Sequence, residues 1–157
     1  MATTDTQVVQ GSFHIEQEVT LRVPLERAWA GLLDVAGWWC CHFADRGARV
    51  VLEPFPGGRF FEESPEGPRA LFGTVVYIKA PEIIRLHGPL GMGRLPVTST
   101  YDWSLEPMGD PGATRLKLSH RAFGLLDPEW QQSHEEGWKS LWVRLAALVE
   151  RGERYSN

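Results

Sequence analysis

The side chains of this chain that could do chemistry together fall on two alternating stretches and one helical ridge. His120 shares the alternation of Thr114, Leu116 and Leu118, so on a strand it lies on their face. If that face is inward, an imidazole enters an apolar space. With an unperturbed pKa of ~6.5 it could orient a ligand hydroxyl or move a proton. The plainer reading is a core histidine hydrogen-bonded to its surroundings. Ser99 and Tyr101 alternate with Val97, Trp103 and Leu105 and are the other polar groups that such an interior could hold. Trp130, His134, Trp138 and Trp142 stand four apart and form one ridge of a helix. An apolar ridge packs a core; Trp138, in mid-helix, could also wall a ligand cavity. Gly137 beside it favours the second use, because a mid-helix glycine costs about 1 kcal/mol against alanine and marks a close approach of backbone or ligand. The candidate contacts are therefore Trp138, Trp142, Trp103, Tyr101, Ser99, His120 and Trp39, with His120 the candidate acid or base.

Other chemistries lack their pattern. His134-Glu-Glu136 has no second histidine in zinc-protease register, and Cys40-Cys41 completes no metal set, so neither metal nor cofactor is expected. The two cysteines have no base nearby in sequence, adjacent residues rarely bridge, and no Gly-x-Ser-x-Gly elbow occurs. Gly88 to Gly93 is followed by no Lys-Ser/Thr and reads as a flexible loop, with Gly91 and Gly93 as hinges at a cavity entrance. His87 is expected in solvent, and Glu62, Glu63 and Glu66 on a solvated hairpin edge.

These residues need elements to position them. Phe13 to Val23 alternates as a half-buried strand, and Pro24 opens a helix over Leu25–Val35. A further short helix fits between Trp39 and Gly47. Strands follow over 48–53, 59–63, 70–79, 82–87, 95–106 and 113–121, separated by Gly/Pro turns that imply an antiparallel sheet. The helix over 128–150 closes the chain, with Asp127 as its N-cap. One domain is expected over 12–151, between a disordered tail at 1–11 and a charged tail at 152–157.

Composition agrees with a globular protein: 43% hydrophobic and 23% charged residues. A net charge of −4 without a basic cluster argues against nucleic-acid binding. No apolar run approaches the ~20 residues of a membrane span, and no signal peptide is visible, so the cytoplasm is the expected location. Seven tryptophans imply an aromatic core, a ligand cavity or a partner surface.

The motifs resemble those of the START-like, birch-pollen-allergen-like SRPBCC superfamily, in the branch named after the activator of heat-shock protein 90 ATPase. They are Val23-Pro-Leu-Glu-Arg-Ala-Trp29, Trp38-Trp39, Pro56-Gly-Gly58-Arg-Phe60, Gly73-Thr-Val75, Thr114-Arg-Leu116 with His120, and Gly137-Trp138 with Leu141 and Leu145. The resemblance spans about residues 13 to 150. It implies an α+β helix-grip fold, a curved antiparallel sheet wrapped around the last helix with a hydrophobic cavity between. Such families hold lipid carriers, polyketide cyclases or aromatases and co-chaperone domains, so function must come from the site. The leading expectation is a non-enzymatic or weakly catalytic binder of a small hydrophobic or aromatic molecule, as monomer or homodimer. The rivals are a cyclase-like enzyme using His120 and a module that binds a chaperone or other protein.

Overall fold

The computed structural model describes residues 8–42 and 47–156. Seven strands form one antiparallel sheet: β1 (Val9–Leu21), β2 (Arg49–Leu52), β3 (Arg59–Ser64), β4 (Gly67–Lys79), β5 (Ile83–His87), β6 (Val97–Pro107) and β7 (Thr114–Leu126). Their order across the sheet is β1-β7-β6-β5-β4-β3-β2. Every neighbour after β2 is a hairpin partner; β7 then returns beside β1. Helix α1 (Leu25–Leu33) and a 3-10 turn (Val35–Gly37) carry the chain from one edge of the sheet to the other. Helix α2 (Trp130–Arg151) lies in the concave face, as the helix-grip fold requires.

Strand parity decides what meets α2. Tyr101, Trp103 and Leu105 of β6 and Leu116, Leu118 and His120 of β7 are all buried. In register, Tyr101 pairs with His120 and Trp103 with Leu118. From α2, Trp138, Leu141, Trp142, Leu145, Leu148 and Val149 face them. Trp38 and Trp39 close the cluster from the segment after α1, with Trp38 5.4 Å from Trp103 and Trp39 4.9 Å from Phe60 between ring centroids. Trp38 donates its indole N–H to the Leu32 carbonyl at 3.3 Å, which fixes it under α1.

Several boundaries differ from the sequence reading. β1 begins at Val9, paired with Leu126, so residues 9–11 of the expected tail belong to the sheet; residues 1–7 lie outside the described residues. β7 runs five residues past Arg121, because β1 offers it partners along its whole length. The short helix expected before Gly47 is absent from Val35–His42 except for the 3-10 turn, and 43–46 lie outside the described residues. Helix α2 starts at Trp130 with Glu129 as its N-cap, not Asp127. The Asp127 carboxylate instead accepts from the Glu129 N–H at 3.0 Å, holding the turn that precedes the helix. The charged tail is docked: the Tyr155 N–H donates to the Gly37 carbonyl at 2.8 Å, and Arg154 pairs with Asp34.

Two glycines permit the close approach of β4 to the loop after β5. A methyl group on Gly88 would stand 2.5 Å from the Gly73 Cα and 2.7 Å from the Phe72 carbonyl oxygen, both backbone atoms. Gly88→Ala is therefore expected to cost about 1–3 kcal/mol, the range of an overpacked core. Urea denaturation checks it; an unchanged midpoint would mean that the strands are free to spread.

Candidate functional site

At one end of the grip the aromatic packing stops short and leaves an apolar cavity of about 290 Å³. Helix α2 contributes Ser133, His134, Gly137, Trp138 and Leu141 to its wall. The segment after α1 contributes Trp39, Cys41 and His42; Phe72 comes from β4, and Leu90 and Gly91 from the loop after β5. That loop is held rather than free. The Leu90 N–H donates to the Phe72 carbonyl at 3.0 Å, and the Leu90 carbonyl lies 3.1 Å from His134 Nε2. Gly91 takes the left-handed conformation that turns the loop, with φ of 83°.

Trp39 and Trp138 of the expected contacts stand on this wall. The others stand behind it or beside it. Tyr101 donates its hydroxyl to the Phe72 carbonyl at 2.9 Å, and burial pushes its pKa well above the ordinary value. Ser99 donates to the Gly88 carbonyl at 2.6 Å. Trp103 is fully buried among Trp38, Phe60 and Trp138. Trp142 stacks on Trp138 at 5.2 Å and donates its indole N–H to the Gln17 side-chain oxygen at 3.0 Å.

His120 is fully buried in the protein interior and lines none of the cavity. Its Nδ1 accepts from the Trp138 indole N–H at 3.1 Å, which puts the ring proton on Nε2. Nε2 is buried without a hydrogen-bond partner among the described residues. Burial, with His134 and His14 adding repulsion, holds its pKa down at about 3. The ring is thus a neutral acceptor that fixes Trp138. Gly137 also differs from the sequence reading: a Cβ there would meet nothing within 4 Å, so it marks open space beside the cavity rather than a close backbone approach.

One polar pair at the cavity escaped the sequence reading. Glu62 is buried, not on a solvated edge, because period two puts it on the face of the buried Phe60. Glu63 and Glu66 do reach solvent, where Glu63 pairs with Arg49 and Glu66 with Arg69. The His42 Nδ1 lies 3.2 Å from Glu62 Oε1, with side chains 7% and 0% exposed respectively. The Tyr155 ring stacks on His42 at 5.7 Å and covers its face. The shared parity of Phe60 and Glu62 was legible in sequence; the partner, twenty residues earlier, was not. Beside this pair the Cys41 thiol hydrogen-bonds Cys40, and with Arg144 it brings the Cys40 pKa down to about 6 against its burial, while Cys41 itself is pushed up. The two cysteines are free thiols. No set of three metal-ligating side chains occurs among the described residues. No described helix is long and apolar enough to cross a membrane.

Comparison with solved structures finds the same fold widely. Protein CV1439 from Chromobacterium violaceum is 24% identical, with a TM-score of 0.62 over 87% of this chain and 96% of that one. A protein from Rhizobium leguminosarum is 19% identical, with a TM-score of 0.64 over 91% and 99%. CalU16 from Micromonospora echinospora is 16% identical, with a TM-score of 0.63 over 94% and 86%. At these identities the likeness shows the fold alone. No functionally curated protein matches the sequence. The family model described as activator of Hsp90 ATPase homolog 1-like protein matches residues 22–150.

Proposed function

Because the chain belongs to the family of activator of Hsp90 ATPase homolog 1-like proteins, whose fold serves ligand binding and cyclase-like roles alike, we propose that this member binds a small, flat hydrophobic molecule. The observation that carries this reading is the cavity of about 290 Å³ walled by Trp39, Phe72, Leu90, Trp138 and Leu141. Its volume sits at the foot of the ~300–1,000 Å³ range of small-molecule sites, which suits a two-ring aromatic better than a long acyl chain. Trp39 and Trp138 present ring surface to such a ligand, and offset or edge contacts between aromatic rings add about 0.5–1.5 kcal/mol beyond area burial. The cyclase-like reading draws less support, because His120, its acid or base, is engaged with Trp138 and lies away from the cavity.

Gly137 supplies the test. A Cβ placed there meets no neighbour within 4 Å. Gly137→Ala is expected to raise stability by about 0.5–1 kcal/mol through helix propensity. Gly137→Leu is expected to keep the fold and fill the cavity. Calorimetric titration with naphthalene should show saturable binding to the native protein and none to Gly137→Leu. Absence of binding to the native protein by naphthalene and by longer apolar probes would overturn the reading, as would unchanged binding in the filled variant.

A further inference from the structure

The cavity wall is mostly apolar, with polar side chains from Cys41, His42, Ser133 and His134, and of these His42 is built as a polar recognition group. Its side chain is 7% exposed, and the Glu62 carboxylate opposite Nδ1 is fully buried. A carboxylate only accepts, so the ring proton stands on Nδ1 and points at Glu62. With a single proton on the ring, Nε2 keeps a lone pair. That atom is buried and has no hydrogen-bond partner among the described residues. A buried polar atom without a partner is uncommon and costs about 1–3 kcal/mol, so it asks for a partner that the described residues do not supply. Stacking of Tyr155 on one face of the ring fixes its plane, and Arg144 over the Tyr155 ring, 4.7 Å from its centroid, fixes the tyrosine. The ring is therefore oriented before any ligand arrives.

We propose that the His42–Glu62 pair selects hydroxylated aromatic molecules, a phenol or naphthol O–H donating to Nε2 of His42 while the rings lie against Trp39 and Trp138. The inference rests on the binding reading above and names the class of ligand for that same cavity. Glu62 acts as a positioning residue, holding the tautomer in which Nε2 accepts.

Four probes of similar shape test it by calorimetry on the native protein: naphthalene, 2-naphthol, 2-methoxynaphthalene and 2-naphthoate. 2-Naphthol should bind roughly tenfold more tightly than naphthalene, the upper end of a net hydrogen bond. The methyl ether keeps the oxygen but has no proton to donate, and should bind no better than naphthalene. His42→Phe should lose the preference for naphthol over naphthalene. Equal affinities for naphthol and naphthalene, or for naphthol and its ether, would overturn the proposal while leaving the binding reading intact. So would tighter binding of 2-naphthoate than of 2-naphthol, which would mean that His42 meets its ligand as an imidazolium. Should His42→Phe fail to fold, the comparison of naphthol with its ether in the native protein still decides. Failure of all four probes, and of longer apolar probes, to bind would sink both readings.

Discussion

Replacing Trp138 with alanine is expected to lower the unfolding free energy by about 3–5 kcal/mol, the range for a buried tryptophan or phenylalanine truncation, and the melting temperature by roughly 10 °C in a domain of this size. The side chain is 2% exposed, stacked on Trp142 at 5.2 Å and set edge-on to Trp103 at 6.1 Å. Its indole N–H also satisfies Nδ1 of His120. Truncation therefore opens a void and orphans a buried acceptor at once. Trp138→Phe separates the two, keeping most of the packing and losing the donor, and should cost about 1–2 kcal/mol. Urea unfolding followed by far-ultraviolet circular dichroism is the suitable measurement, because the substitution alters the fluorescence itself. A loss under about 1 kcal/mol would show that the sheet grips α2 without this residue. Changed together with His120, the two positions should depart from additivity by about 0.5–3 kcal/mol, as contacting residues do.

Acid should weaken the fold through His120. Burial, then repulsion from His134 and His14, holds this imidazole down at about 3, against 6.5 in the unfolded chain. Above pH 6.5 it is neutral in both states and contributes no pH dependence. Below pH 6.5 the unfolded chain takes up a proton that the folded chain refuses, so stability falls with pH by about 1.4 kcal/mol per unit, levelling near pH 3. At pH 4.5 the loss from this one group is about 3 kcal/mol. The Trp138 indole acts in the same direction, since a proton on Nδ1 would face its N–H. Carboxylates titrate in the same range, so the quantity to compare is the slope of stability against pH in the native protein and in His120→Gln. The variant should have the shallower slope between pH 6.5 and 4.5. Equal slopes would mean that His120 takes up its proton in the folded state as readily as in the unfolded one.

Period two and period 3.6 are local properties, so the sequence by itself determined which residues share a face. Tyr101 and Trp103 on one strand and Leu116, Leu118 and His120 on the next are buried together, as their alternation requires. The ridge of Trp138, Trp142 and Leu145 faces them from α2 for the same reason. What no period carries is whether the space between those faces is filled. That depends on side-chain volumes brought together from distant segments, and here Tyr101, Trp103 and His120 fill it while Trp39, Phe72, Leu90 and Gly137 leave a gap. Gly137 looked like a place of tight approach because the energetic penalty of a helical glycine is readable; only the fold shows that its neighbourhood is empty. Glu62 was hidden among charged neighbours on its hairpin, although its parity with Phe60 pointed inward. Its partner His42 and the covering ring of Tyr155 come from a segment after α1 and from the C-terminal tail. Tertiary structure decided that meeting, because burying a carboxylate requires a donor at a stated place, and the chain supplies it from parts that no local pattern connects.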